Sequence, residues 1–276
     1  HYGPAIPRMK AFVINLSVGY ANMCNYVIAP SKSFARILKL RGVKVPIEVV
    51  PTAVDIEKFQ NGNGQQFRTA MNIPPNAFTI GHTGRLEPEK NMDFLIKAVA
   101  MFLHKNSNAH FLLVGYGTLE KQLKEIFYFE GLSDRVHFVG KLTGQSLIDA
   151  YHAMDTFVFA SKTETQGIAL AEAMAAGIPV IALDATGASD VVENGINGYL
   201  VKSEDIESFA AACCQISQLP KEVIDDFKIA ARNTAEDFNI QNFTIKINSI
   251  YERMFEIKNT VFTRDESVWR NAVEQI

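Results

Sequence analysis

Cysteine is scarce in this chain of 276 residues: Cys24, Cys213 and Cys214 are the only three. Their spacing makes neither a disulfide framework nor a metal knot, which fits folding in a reducing cytoplasm. No run of eighteen apolar residues occurs and no leader pattern is visible, so a membrane-spanning helix is not expected. Acidic residues are missing from positions 1–47, where seven Lys or Arg stand between Arg8 and Lys44. One-signed charge of that kind suits an anionic partner, either a membrane surface or a phosphorylated acceptor, against the plainer reading of a solvated helix face. The expected location is therefore cytoplasmic and peripheral to the inner face of the membrane. The segment also lacks interleaved aromatics and known modules, so nucleic acid is not an expected partner.

Other absences narrow the chemistry. There is no Gly-x-Ser-x-Gly elbow. The histidines His1, His104, His110, His137 and His152 are scattered without metal-ligand spacing, so no metal is expected. His82, at the end of a strand, reads first as a structural histidine. Val114-Gly-Tyr-Gly117 follows a strand, but the third glycine of a dinucleotide fingerprint would fall at Glu120. Gly115 and Gly117 therefore read as a tight strand-to-helix turn.

What is present is periodicity. A helix is predicted over Met9–Ala21, a strand over Cys24–Ala29, a Ser31-capped helix through Leu40 and a strand over Ile47–Val50. Polar residues with Asn61-Gly-Asn-Gly64 and Pro74-Pro75 then suggest a linker over 52–76. Six strands follow, Phe78–His82, Ala109–Val114, Val136–Val139, Thr156–Phe159, Val180–Leu183 and Gly198–Val201. They alternate with helices at Met92–His104, Leu119–Phe129, Gly144–His152, Gly167–Ala176, Ala188–Glu193 and Asp205–Gln218. Such alternation predicts an α/β fold, a doubly wound parallel sheet with right-handed crossovers. Helices over Val223–Asp237 and Gln241–Glu256, and a last one bearing the single Trp269, complete the chain.

In doubly wound sheets ligands bind beyond the carboxyl ends of the strands. Two stretches there carry chemistry. Ser161 to Val180 sets Glu164 in a loop and Glu172 about five residues into a small-residue helix, roughly 7–8 Å further along its axis. Between them the amides around Gly167 and Ile168 open a helix and suit an anion. Carboxylates accept from vicinal hydroxyls, so a diphosphate between two hydroxyl-bearing rings, as in a nucleotide sugar, would satisfy the whole stretch. The plainer reading is a loop charge and a solvent-reaching helix residue. The second stretch, Thr83 to Lys90, brings Arg85 and Lys90, which could neutralise the same diphosphate or instead pair with Glu87 and Glu89. The turn at Gly140 in Val139-Gly-Lys-Leu142 could receive a flat base against its backbone.

Together Gly84-Arg85 through Lys90, Gly115-Tyr-Gly117, Phe138-Val-Gly140, the pair Glu164 and Glu172, Ala176-Gly-Ile-Pro179 and Gly195-Ile-Asn-Gly-Tyr199 resemble the retaining glycosyltransferases of the GT-B fold, family 4. Within it Cys24–Asp55 looks most like the branch that glucosylates diacylglycerol. The resemblance implies a Rossmann-like donor domain over 77–238, a remnant of a second Rossmann-like acceptor domain over 1–51, the linker over 52–76, and C-terminal helices over 239–276 packing back toward the acceptor side. It implies transfer of a hexose from a nucleotide sugar, UDP-sugar first, with retention by front-face attack and without cofactor or metal. Arg85, Lys90 and Glu164 would be catalytic. Gly84, Gly115, Gly117, Gly140, Leu142, Gly167, Ile168, Ala169 and Glu172 would bind the donor, Glu172 at the ribose. Most of the acceptor domain and its site histidine are expected upstream, so that role is not placed on His1, and the chain alone should bind donor but transfer poorly. Two rivals remain: a nucleotide-binding scaffold without catalysis, and an NAD-dependent Rossmann oxidoreductase, whose fingerprint Glu120 breaks.

Overall fold

The computed structural model describes residues 7–273, with side chains given for Met9 and for 11–256. His1 and the side chains of Arg8, Lys10 and Trp269 lie outside them. Helix α1 (Pro7–Asn22) leads to strand β1 (Val27–Ala29), helix α2 (Lys32–Leu40) and strand β2 (Ile47–Val49). The two strands pair in parallel, Val27 opposite Ile47. Ser31 ends the turn before α2 by accepting from the Phe34 amide at 3.2 Å, the satisfaction of an orphan donor that makes Ser a good helix start.

Two short helices follow, α3 (Ile56–Phe59) and α4 (Gly64–Ala70), inside the stretch expected to be a polar linker. Asp55 and Asn63 cap them, so part of the Asn-Gly-Asn-Gly sequence that reads as turn is a helix start. Arg68 on α4 reaches the Ala153 carbonyl at 2.8 Å and the Asp155 carboxylate at 2.8 Å, tying this stretch to the body of the sheet.

The main body runs β3 (Phe78–Thr83), α5 (Met92–Lys105), β4 (Ala109–Val114), α6 (Glu120–Phe129), β5 (Val136–Gly140), α7 (Gln145–His152), β6 (Thr156–Phe159), α8 (Ile168–Ala175), β7 (Val180–Leu183), β8 (Gly198–Val201), α9 (Ile206–Ser217), α10 (Lys221–Ala235) and α11 (Ile240–Val273). Its six strands are all parallel in the order β5-β4-β3-β6-β7-β8. The chain lays strands outward in one direction from β3, then returns and lays β6 on its other side. That reversal leaves a crevice above the carboxyl ends of β3 and β6.

Strands such as Thr156-Phe-Val-Phe159 and Val180-Ile-Ala-Leu183 are buried throughout, which is why their sequences show no polar alternation. One face packs on α5, α6 and α9 through Leu95, Phe102, Phe111 and Phe209. The other packs on α7, α8 and α10 through Tyr151, Leu170, Met174 and Ala231. Each fully buried Leu or Phe contributes about 1.5–3 kcal/mol relative to exposure, so the sheet is a rigid base for the loops above it.

The segment 188–193, expected to be helical, is a series of turns. Gly187 stands at φ 85°, and the buried Asn197 side chain takes the Glu193 amide at 2.8 Å and gives to the Val191 carbonyl at 3.0 Å. Those bonds occupy the backbone groups that a helix would have used. At the C-terminus the expected break before the last helix does not occur, since α11 runs on to Val273.

Residues 27–54 sit against the crevice. The Ser31 hydroxyl donates to the Thr165 carbonyl at 2.6 Å, and Gln166, 3% exposed, holds both backbone groups of Thr52 at 2.9 and 3.1 Å. The α11 residue Arg253 pairs with Glu48 on β2 at 2.7 Å.

Candidate functional site

Two hollows open over the crevice, sharing the Thr83-Gly84-Arg85 turn and Ala169 as a common wall. The first encloses about 340 Å³ and is bounded by Lys90, Glu164, Gly167 and Ile168. The second encloses about 260 Å³ and is bounded by Gly115, Lys141, Leu142 and Glu172. Sites for small ligands span roughly 300–1,000 Å³, so the adjoining pair suits one elongated molecule.

Between the hollows stands the start of α8. Gly167 takes φ 75° and ψ 54°, a left-handed conformation that glycine adopts at little cost, and no side chain caps the helix. The amides of Ile168 and Ala169 therefore have no acceptor within the helix and present partial positive charge to the wall between the hollows.

Lys90 and Glu164 form an ion pair across the first hollow, each about four-fifths covered. Arg85 faces both hollows but is 60% exposed and pairs with Glu89 at 2.7 Å. Glu87 is occupied elsewhere, accepting from the Thr118 hydroxyl at 2.6 Å and amide at 3.0 Å. Of the two cations, one is thus held on the carboxylate of the site and the other on a neighbouring surface acid.

Glu172 is held without a cation. It accepts a hydrogen bond at 2.8 Å from the hydroxyl of Tyr151, itself 2.5 Å from the Thr83 hydroxyl. Burial raises the Glu172 carboxyl above its ordinary value, and the bond from Tyr151 works against that rise.

The glycines divide. Gly84 and Gly115 belong to the site wall, and a Cβ on Gly115 would stand 1.8 Å from the Gly84 carbonyl oxygen. The two loops cross at van der Waals distance, and Gly84 donates to the Val114 carbonyl at 3.0 Å. Gly117 and Gly140 line neither hollow. A Cβ on Gly117 would meet the Leu86 carbonyl, and the Gly140 carbonyl accepts from Gly115 at 2.8 Å, so both support the loop crossing from behind. The residues reaching the second hollow just beyond Gly140 are Lys141 and Leu142.

Three residues of the site, Thr83, Tyr151 and Gln166, were not singled out for it from sequence. Thr83 and Tyr151 support Glu172, and Gln166 fastens the loop before α8 to Thr52. His82, which ends a strand facing the site and reads from sequence first as a structural histidine, is buried under the first hollow, where its Nδ1 lies 2.9 Å from the Val158 carbonyl and its Nε2 has no partner. Burial lowers its pKa to about 4, so the ring is neutral. Tyr151 gave only one signal, a bulky polar side chain on the apolar face of a short helix.

A doubly wound sheet whose switch point carries an uncapped helix start, two carboxylates and two cations defines a Rossmann-like α/β protein. The profile of the glycosyl transferases group 1 family matches residues 64–234, and the chain belongs to that family. It is 29% identical over 224 residues to the D-inositol 3-phosphate glycosyltransferase of Saccharomonospora viridis, an alignment covering 78% of this chain and 52% of that protein. It is 28% identical over 219 residues to the lipopolysaccharide core biosynthesis mannosyltransferase LpsB of Rhizobium meliloti, covering 76% of this chain and 62% of that one. The chain thus spans about half the length of the first of these relatives. Its fold matches Anabaena HepE, solved with UDP and glucose, at a TM-score of 0.80 and 24% identity over 88% of this chain and 67% of that one. The architecture is the GT-B Rossmann-like one. Neither relative's name speaks of diacylglycerol, so that expectation rests on residues 24–55 alone. No helix among the described residues is long and apolar enough to cross a membrane.

Proposed function

We propose that this chain is the donor-binding half of a retaining glycosyltransferase that moves a hexose from a UDP-sugar, without a metal ion. The observation that carries the reading is the uncapped start of α8 standing in the wall between two hollows, with Lys90 and Glu164 on one side and Glu172 on the other. The diphosphate takes the Ile168 and Ala169 amides, the hexose lies toward Glu164, and the ribose lies toward Glu172 with the base beyond it near Leu142. Lys90 and Arg85 then neutralise the charge that grows on the departing phosphate, a stabilisation worth most where it is fixed before the reaction begins. Relatives named for glycosyl transfer, and a neighbour of the same fold solved with UDP, support the donor class.

For the acceptor, Lys32, Arg36 and Lys39 recur on the exposed face of α2, at the edge of the segment that meets the crevice. They favour an acceptor that carries phosphate or lies in an anionic bilayer, a lipid such as diacylglycerol being the first reading. Calorimetric titration with UDP and NAD tests the donor half. UDP should bind and the Glu172→Ala variant should bind it more weakly, with EDTA changing neither result. A preference for NAD would overturn the reading, and so would binding of neither.

A further inference from the structure

Beneath the second hollow lies a phenol to which the donor chemistry assigns no role. Tyr151 is fully buried, with Phe59 at 5.6 Å and Phe157 at 5.8 Å between ring centroids. Its hydroxyl is 2.8 Å from Glu172 Oε2, 2.5 Å from Thr83 Oγ1 and 3.4 Å from the Ala169 carbonyl oxygen. A phenol has one proton to give, and an ionised carboxylate is the strongest acceptor within reach. The proton therefore goes to Glu172, and the phenol oxygen accepts in turn from the Thr83 hydroxyl. Donation runs one way, from Thr83 through Tyr151 to Glu172. It occupies Oε2 and leaves Oε1 for a ligand.

We infer that Tyr151, itself held by Thr83, is a positioning residue that keeps Glu172 oriented and ionised as the acceptor for the ribose hydroxyls of the donor nucleotide. The inference rests on the ribose role proposed above for Glu172. Burial alone pushes Glu172 toward its neutral acid, and the phenol is the group that counters it. The other charged groups bordering this hollow are Arg85, from the loop after β3, and Lys141, from the loop after β5. Arg85 pairs outside the hollow with Glu89, and Lys141 lies over the ring of Tyr116, itself part of the hollow's wall, at 5.7 Å.

The test is calorimetric binding of UDP and 2′-deoxy-UDP to the full chain between pH 5 and 8, for wild type, Tyr151→Phe, Glu172→Ala and the double variant. Wild type should prefer UDP by about 10-fold, the scale of one hydrogen bond to a charged group. Tyr151→Phe should cut that preference to about threefold or less, as expected when a misaligned acceptor replaces an aligned one. It should also move the acid loss of UDP affinity to higher pH, because Glu172 then protonates sooner. In the Glu172→Ala background Tyr151→Phe should cost nothing more. Thr83→Val should act in the same direction, and it carries the test if Tyr151→Phe fails to fold. A Tyr151→Phe protein that melts earlier but keeps the ribose preference and the wild-type pH limb would overturn the inference. So would an equal loss with and without Glu172. Failure of wild type to bind UDP would instead sink the donor reading on which it stands.

Discussion

Glu164 and Glu172 stand on either side of Gly167, and the molecule holds them differently. Glu164 lies in a loop against the Lys90 ammonium, so a ligand entering the first hollow must share or displace a partner already there. Glu172 lies on a helix against the Tyr151 phenol, so the second hollow keeps its internal bond and offers a free oxygen. The first side is balanced by charge and the second is set by packing. Binding on the first side should therefore respond to changes of charge, and on the second to changes of geometry.

The largest expected effect concerns the buried imidazole that only the first hollow has. His82 titrates near 6.5 when unfolded and at about 4 when folded, so below pH 6.5 the unfolded chain binds a proton that the folded one refuses. Stability should fall as pH drops from about 6.5 to about 4, by about 3 kcal/mol from this residue. As pH drops over that range the urea midpoint of wild type should fall more steeply than that of His82→Phe, and parallel curves would remove His82 from the account. Next in size is Lys90→Ala, which deletes the counter-charge and strands Glu164 beside the phosphate. UDP affinity should fall about 100-fold, and by less in high salt. Glu172→Ala should cost about 10-fold with little dependence on salt. The smallest change is expected of Glu164→Gln, which frees Lys90: UDP should bind within about threefold of wild type, while any added affinity for UDP-glucose is lost. If Glu164→Gln and Glu172→Ala weakened UDP equally, the contrast between the two sides would collapse.

The sheet was legible because strands buried on both faces are written as unbroken apolar runs between turn residues, as in Thr156–Phe159 and Val180–Leu183. The candidate site was legible where a motif stood at a strand end, as with Arg85, Lys90 and the two glutamates. It was not legible where a role depends on two elements meeting. Gly115 matters because its loop crosses the Gly84 carbonyl, and Gly117 and Gly140 sit behind that crossing instead of in the hollow. Tyr151 is separated from Glu172 by a strand and a loop, so its hydroxyl finds the carboxylate only after folding. The stretches 56–70 and 188–193 were misread for related reasons. Asn63 caps a helix where Asn-Gly suggested a turn, and the Asn197 side chain takes backbone groups of the 188–193 segment that suggested a helix.

A crystal structure of the chain soaked with UDP-glucose tests the central claim most directly. The account predicts diphosphate oxygens within hydrogen-bonding distance of the Ile168 and Ala169 amides, glucose against Glu164 and ribose against Glu172. Density for the nucleotide elsewhere on the sheet, or with ribose and hexose exchanged between the two hollows, would contradict it.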